Sequence, residues 1–351
     1  MKTQQNKPQN KQAVCGSLLG LAAGDALGYP IEHIYKGKAP QPITGYLLDA
    51  KTGKACISAN TQLMLCTLQG ILIAETRVRT RGAGTSIDRY VQIIDQRWAA
   101  LQGQAVDARR GVAQWLLSQP EMRARRAPGK TCIEALKDGV PNPEKKSPGS
   151  IVRTAPVGLY YDLDVKRVPF LAEKIVSITH PATAHAANVY ASILYDLVYA
   201  KMDLYTAIAA STSGKVAQEE FDLWRLLELS FALAHNTAPD EENMYEIGRG
   251  WSAEKALARA VYCAARYQGD FSSGILAAVQ YGGDVDAIGA LTGSLLGAMC
   301  GLDGIDEKWT KNLELYDTIL RMATDAAGPC PVSACSPSTP ENDAWLCRYE
   351  G

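Results

Sequence analysis

Apolar residues recur at three- and four-residue spacing along most of the chain. This period places apolar side chains on one face of a helix, and Gly, Pro, Asn and Asp mark the breaks between helices. Alternating apolar and polar positions are nearly absent, although PITGYLLDAKTGKACIS allows one short hairpin. The pattern predicts an all-α fold with helices over residues 13–27, 60–76, 86–101, 107–118, 168–178, 183–199, 203–212, 216–235, 252–268, 271–280, 286–300 and 309–324.

The helical pattern predicts a single large domain over residues 13–328. Residues 1–12 are polar and predict an N-terminal arm, and residues 329–351 are rich in Cys and Pro and predict an irregular tail. Residues 120–150 are rich in Pro, Gly and charge. A loop of that length inside a compact domain is usually functional or mobile.

Glycine recurs at every fourth position in two distant segments, GSLLGLAAGDALG and GALTGSLLGAMCG. Each row forms one stripe along a helix, and each interior glycine costs about 1 kcal/mol relative to alanine, so the rows need a packing reason. We expect the two glycine ridges to pack on each other, because ridges without side chains allow close backbone approach. Antiparallel packing would bring the end of the first ridge, with Asp25 and Glu32, beside the start of the second, with Asp284 and Asp286.

Composition narrows the functional classes. The 351 residues carry a formal net charge of -1, which gives no electrostatic case for nucleic acid or an anionic membrane as partner. Each glycine-rich run is also judged too short to span a bilayer. The polar first residues lack the apolar core of a signal peptide, so we expect a cytoplasmic protein. Nine cysteines, mostly in apolar helices, favour buried thiols over disulfides.

The segment YGGDVDAIG places Asp284 and Asp286 after the glycine pair Gly282 and Gly283. Two interpretations are open. Asp286 stands where a helix begins and would serve as an N-cap. Alternatively, the two carboxylates beside an apolar helix would bind a hard divalent cation such as Mg²⁺.

Four motifs resemble the ADP-ribosylglycohydrolase family, which includes the dinitrogenase-reductase-activating glycohydrolase. GSLLGLAAGDALGYPIE is similar to the opening motif of the family, including Glu32 at its end. SPGSIVRTAPVGLYY resembles its Gly-Ser-x-x-Arg-x-x-Pro motif, and THPATAHAANVYASIL resembles its histidine-containing helix start, with His180. FSSGILAAVQYGGDVDAIGALTGSLLGAMCG is similar to its closing motif. The resemblance implies an orthogonal, all-helical domain that cleaves ADP-ribose from a modified side chain, with two Mg²⁺ ions in its cleft.

This chain departs from the family at the metal ligands. The family reads Thr-Asp-Asp-Thr where this chain reads Ser58-Ala59-Asn60-Thr61, and the last ligand of the closing motif is replaced by Ala287. Three of five carboxylates remain, too few for a pair of mutually repelling divalent ions. We therefore expect at most one Mg²⁺, or none. The resemblance implies this set of metal ligands: Glu32, Ser58, Asn60, Asp284 and Asp286.

The resemblance also implies catalytic and substrate-binding residues. Glu32 and Asp284 are the predicted catalytic groups. For Arg153, a structural salt bridge is the alternative interpretation, and for His180 it is helix capping. The predicted substrate-binding residues are Gly149, Ser150, Arg153, His180, Gly282 and Gly283.

Three functions follow from this interpretation. The first is an ADP-ribosyl hydrolase with a reduced metal site. The second is a catalytically silent relative that binds ADP-ribose, a nucleotide or an ADP-ribosylated protein. The third is a structural role for the fold alone, with the cleft closed. The predicted partner in the first two is ADP-ribose or an ADP-ribosylated protein.

Overall fold

The computed structural model describes residues 7–36, 41–82, 84, 86–103, 114–212 and 218–350, which form helices and loops with no strand among them. The α-helices are α1 Lys7–Tyr29, α2 Ala59–Arg81, α3 Ile87–Leu101, α4 Gln114–Leu117, α5 Pro120–Arg123, α6 Lys130–Asp138, α7 Gly149–Val152, α8 Ala155–Leu159, α9 Val168–Val176, α10 Ala184–Tyr195, α11 Leu204–Thr212, α12 Gln218–Ala234, α13 Asp240–Ile247, α14 Ala253–Arg266, α15 Phe271–Gln280, α16 Val285–Cys300, α17 Glu307–Thr310, α18 Tyr316–Ala326 and α19 Pro340–Tyr349. Two π-helical turns, Pro30–Ile34 and Asp196–Ala200, continue α1 and α10. Two 3₁₀ turns span Pro181–Thr183 and Leu302–Gly304. The all-α prediction is confirmed.

The two glycine ridges lie on α1 and α16, which pack antiparallel in the core. A Cβ atom added to Gly24 would overlap the carbonyl oxygen of Gly289, and one added to Gly20 would overlap that of Gly293. At these glycine positions no side chain separates the helices, so the two backbones touch. The predicted ridge packing is confirmed. It brings the end of α1 beside the start of α16.

The stretch Asn10–Ile34, which contains the first glycine ridge, is long and apolar enough to cross a bilayer, so the argument from length fails for that ridge. It holds for the second ridge, because Val285–Cys300 is shorter. The most apolar 18-residue window of Asn10–Ile34, however, is 100% buried inside the protein. Helices α2, α15 and α18 pack against α1, while α14 and α15 pack against α16. The stretch is therefore enclosed by the other helices of the core.

The C-terminal tail differs from the prediction of an irregular segment, because it carries α19. The indole of Trp345, 4% exposed, donates from Nε1 to Thr76 Oγ1 at 2.8 Å. The hydroxyl of the buried Tyr349 donates to Asp325 Oδ2 at 2.9 Å. The two aromatic residues are four apart and share one helix face, which anchors the tail on α2 and α18.

Three further predictions differ from the structure. The 120–150 segment is not a continuous loop, since it contains α5, α6 and the start of α7. The proposed hairpin forms no strand; Ala55 makes a single isolated bridge to Leu313 instead. The predicted helix over 309–324 breaks at Leu315, whose φ of 58° lies in the left-handed region. Of the predicted helix 107–118, residues 107–113 lie outside the described part of the chain, as do residues 1–6 of the predicted arm.

The N-cap of α15 offers a pH-dependent test of the fold. Asp270 Oδ1 accepts the backbone N–H of Ser273 at 2.9 Å, and Oδ2 accepts its hydroxyl at 2.6 Å. The hydroxyl bond and then the backbone bond hold the pKa of Asp270 below its ordinary value, although slight burial acts the other way. We expect Asp270→Ala to lower the free energy of unfolding by about 1 kcal/mol at neutral pH.

A depressed folded pKa sets the sign of the pH effect. The stabilisation is fully present above the unfolded pKa of about 3.9 and is lost as pH falls through the lower folded pKa. Urea unfolding of the wild type and Asp270→Ala, from neutral pH to about pH 2, should therefore show a shrinking difference. The control is Ser86→Ala, because Ser86 caps α3 without a side-chain hydrogen bond. A difference that persists undiminished at low pH would contradict the expectation.

Candidate functional site

A cleft of about 180 Å³ opens where α1, α2 and α16 converge. The segment between α5 and α7 forms one wall, with Gly129, Lys130 and Ser147 among its lining residues. The cleft is also lined by these residues predicted from sequence: Glu32, Ser58, Asn60, Gly149, Ser150, Arg153, His180, Asp284 and Asp286. The structure thus gathers residues from both ends of the chain, and their chemical roles stay predictions.

Gly282 and Gly283 are not among the residues that line the cleft, and their role in substrate binding stays a prediction. Their φ angles of 68° and 99° form the turn that leads into α16. The carbonyl oxygen of Gly282 accepts Nη1 of Arg259 at 2.6 Å, and a Cβ on Gly283 would overlap the carbonyl oxygen of Arg249. The pair therefore shapes the backbone that presents the two aspartates.

Glu32 lies in the π-helical turn that continues α1. Its carboxylate lies near the backbone N–H groups of Val285 and Asp286, at the N-terminus of α16. Its Oε2 atom is buried and has no hydrogen-bond partner. Burial, and then the charge of Asp286, raise the pKa of Glu32 to about 7, against the opposing effects of His33 and the two N–H groups.

Asp284 and Asp286 share a hydrogen bond. Burial, followed by the neighbouring Asp286 carboxylate, raises the pKa of Asp284 well above its usual value. Burial acts on Asp286 in the same direction but is outweighed by hydrogen bonds from His33 and Asp284, so the pKa of Asp286 is lowered. The raised pKa favours the protonated form of Asp284, and the lowered pKa favours the ionised form of Asp286.

Ser58 is the N-cap of α2, and its hydroxyl is already engaged. Its Oγ accepts the N–H of Asn60 at 3.0 Å and donates to Asp25 Oδ1 at 2.6 Å. Asp25 is 0% exposed and also accepts the N–H of Ser58 at 2.8 Å and the hydroxyl of Thr61 at 2.5 Å. Burial first, and then Asp286, raise the pKa of Asp25 to about 7. Only one lone pair of the Ser58 hydroxyl remains for a ligand.

The amide of Asn60 faces Gly149 across the cleft. A Cβ atom on Gly149 would overlap Asn60 Oδ1, so a larger residue there would displace the Asn60 side chain. Ser150, next to Gly149, bonds Thr183 through their hydroxyls at 2.8 Å and donates to the carbonyl of Ser147 at 2.7 Å. These contacts join the start of α7 to the turn that follows His180.

Arg153 forms an ion pair with Asp95 of α3, and the two side chains are 1% and 0% exposed. The structural salt bridge that sequence left as an alternative is therefore present. Nε and Nη1 of Arg153 and Oδ1 of Asp95 are buried without partners, so the pair is incompletely satisfied. Burial raises the pKa of Asp95 to about 6 although Arg153 acts in the opposite direction.

His180 is 3% exposed, and its Nδ1 lies 2.9 Å from Thr179 Oγ1. Burial, and then the charge of Arg153, lower the pKa of His180 to about 4. The imidazole is therefore neutral near pH 7 and lacks the extra proton that a general acid needs. It can still offer a ring face or one N–H group to a ligand.

His33 was missed by sequence reasoning. Its Nε2 lies 3.0 Å from Asp286 Oδ2, and its side chain is 32% exposed. Burial lowers the pKa of His33, but the hydrogen bond and charge of Asp286 outweigh it and raise the value. One ligand atom from each of Glu32, His33 and Asp286 lies within 4.8 Å of the others. In the sequence, the only signal for His33 was its position next to Glu32.

The donor set can be tested against the two Mg²⁺ ions implied by the resemblance. The side chains of Ala59 and Ala287 offer no ligand atom, and Ser58 is bound to Asp25. The orphaned, buried oxygen of Glu32 and the Asp284–Asp286 pair provide oxygen ligands for one cation. These oxygens are enough ligands for one divalent ion, and the expectation of at most one Mg²⁺ stays a prediction.

Comparisons with known proteins agree on one family. Residues 6–334 match the family model described as ADP-ribosylglycohydrolase. The chain is 26% identical over 103 residues to human ADP-ribosylhydrolase ARH3, a match that covers 26% of this chain and 28% of the relative. The bovine protein of the same name is 27% identical over 103 residues, with the same coverage. The match spans just over a quarter of the length of these curated relatives.

A solved structure titled "ADP-ribosylglycohydrolase-related protein complex" has the same fold. Its TM-score is 0.66 at 22% identity, over 91% of this chain and 98% of that one.

Proposed function

The chain belongs to the ADP-ribosylglycohydrolase family, and from that premise we propose that it hydrolyses the glycosidic bond between ADP-ribose and a modified side chain or a related acceptor. One observation carries the proposal: the buried, unpartnered oxygen of Glu32 lies in the same cleft as the Asp284–Asp286 pair. Most glycosidases use a pair of carboxyl groups in one cleft to break a glycosidic bond.

The residues divide the reaction between them. Glu32 orients the attacking water and accepts its proton while the water oxygen bonds to the ribose carbon. Asp284 gives the proton it holds to the leaving group as the glycosidic bond breaks. Gly149, Ser150 and the neutral His180 bind the ADP-ribosyl part of the substrate.

We assign at most one divalent cation to this site. Its ligands would be Asp286 and one oxygen each of Glu32 and Asp284, whose other oxygens handle the protons, together with the free lone pair of Ser58 and the amide oxygen of Asn60. A cation bound there would orient the ribose hydroxyls and lower the pKa of a bound water.

A silent relative that only binds ADP-ribose is the second candidate. It is favoured by Ala59 and Ala287, which provide no ligand, and by the Ser58 hydroxyl that Asp25 already occupies. Such a protein would keep the cleft and lose turnover.

Release of ADP-ribose from ADP-ribosylated arginine and serine peptides distinguishes the candidates. We expect release by the wild type and a loss of at least about 100-fold in Glu32→Gln, because the proton acceptor is removed. The control is Glu307→Gln, an exposed residue of α17 outside the cleft, which should leave the rate unchanged.

Calorimetry with ADP-ribose, with and without Mg²⁺, completes the test. Binding without release would support the silent relative, and an absence of both would leave a role for the fold alone. The variant Ala59→Asp/Asn60→Asp restores two acidic ligands and should bind Mg²⁺ more tightly than the wild type.

A further inference from the structure

The π-helical turn after α1 adds a nitrogen ligand to the carboxylates of the cleft. The backbone N–H of Tyr35 bonds the carbonyl of Pro30 at 2.8 Å, five residues earlier, which is the π-helical bond. The turn carries Glu32 and His33 to the N-terminus of α16. Both side chains therefore reach Asp286, in the first turn of that helix.

The spacing of these three side chains fits a single metal ion. Two atoms that each bind one ion at about 2.1 Å lie about 3.0 to 3.4 Å apart in octahedral or tetrahedral geometry. His33 Nε2 and Asp286 Oδ2 are 3.0 Å apart, and the atoms of all three residues lie within 4.8 Å. An ion can thus replace the His33–Asp286 hydrogen bond with little movement of either side chain.

Glu32 supplies an independent indication of a ligand. One buried carboxylate oxygen has no hydrogen-bond partner among the described residues, and a buried polar atom left unpaired costs about 1–3 kcal/mol. An ion beside His33 and Asp286 would satisfy that oxygen. The Glu32 carboxylate lies beside the N-terminus of α16, within 4.8 Å of the other two ligand atoms.

The chemistry of the donors selects the class of ion. Mg²⁺ prefers oxygen ligands alone, whereas imidazole nitrogen suits first-row transition metals such as Zn²⁺, Co²⁺ and Fe²⁺. The chain lacks acidic side chains at Ala59 and Asn60 and has an imidazole at His33. We propose that Glu32, His33 and Asp286 bind one first-row transition metal ion in preference to Mg²⁺. This inference builds on the one-cation site of the proposed function and does not require hydrolysis.

The test measures metal binding by the full-length protein after chelator treatment. Calorimetry with Zn²⁺ and with Mg²⁺ should show Zn²⁺ binding at least about 100-fold more tightly. The background carries Cys335→Ser and Cys347→Ser, because these two thiols are exposed and would bind Zn²⁺ themselves. Co²⁺ absorption spectra should then show nitrogen and oxygen ligands without the charge-transfer band of a thiolate.

His33→Ala identifies the ligand. The side chain is partly exposed, so the fold should survive, and far-UV circular dichroism checks this. We expect the variant to bind Zn²⁺ at least about 10-fold more weakly while its Mg²⁺ affinity is unchanged. The matched control is His235→Ala, an exposed histidine at the end of α12, which should bind both ions as the wild type does.

Two outcomes would overturn the inference: Mg²⁺ binding as tight as Zn²⁺ binding, or a Zn²⁺ affinity that is the same in His33→Ala as in the wild type. Zn²⁺ binding that depends on His33 supports it whether or not ADP-ribose is released. If the protein releases ADP-ribose but its metal binding does not depend on His33, this inference is rejected and the proposed function is supported.

Discussion

Gly24→Ala is expected to lower the free energy of unfolding by about 3 kcal/mol, at the upper end of the cost of overpacking a core. The added methyl group would overlap the carbonyl of Gly289, and the backbone nitrogen of Ala290 lies 3.0 Å from its position. These are backbone atoms of a packed helix and have no rotamer by which to move away. The gain of about 1 kcal/mol in helix propensity opposes this cost but is smaller.

Urea unfolding of the purified variant measures the effect. The control is Gly45→Ala, because no atom lies within 4 Å of a Cβ at Gly45. Its stability should stay within about 0.5 kcal/mol of the wild type. A Gly24→Ala protein as stable as the wild type would show that α1 and α16 separate easily, against the contact described here.

Arg153→Met is expected to lower the free energy of unfolding by about 3–5 kcal/mol, because it leaves the Asp95 carboxylate buried without its partner. Asp95 is 0% exposed and already has one oxygen unpaired, so water cannot compensate for the lost charge. The double variant Arg153→Met/Asp95→Leu removes both charges. It should recover most of the loss, since a buried ion pair contributes little over apolar packing.

An exposed ion pair is the matched control for this cycle. Arg81 and Glu350 are 3.1 Å apart with side chains 50% and 56% exposed, and Arg81→Met should cost less than about 1 kcal/mol. Equal losses in Arg153→Met and Arg81→Met would mean that the buried pair is solvated. A double variant as unstable as Arg153→Met would assign the loss to packing instead of charge.

The centre of the fold could be predicted from sequence because its signal is periodic and local. Glycine at every fourth position is visible without coordinates, and the pairing of Gly24 with Gly289 follows from antiparallel packing of the two rows. The convergence of Glu32 with Asp286 was predicted from the same rows. Here one pattern of spacing determined both the packing and the place of the cleft.

Other contacts left no pattern in the sequence. Asp95 and Arg153 are 58 positions apart on separate helices, and nothing in either segment indicates their pairing. His33 reaches Asp286 because of a π-helical turn, which Pro30 at its start does not by itself reveal. The composition of the tail favoured loop structure, whereas packing of Trp345 against Thr76 stabilises a helix there.

The contact between the two glycine rows also limits the thermal motion of the cleft. Glu32 and Asp286 are attached to two helices whose main chains touch at the glycine rows. Backbone atoms have no rotamers by which to adjust, so the two helices have little freedom to shift where the glycines meet. The distance between the two acidic groups should therefore vary less with thermal motion than distances to residues carried by loops. Mutations are therefore expected to change the shape of the cleft at its walls, while the spacing between α1 and α16 stays the same.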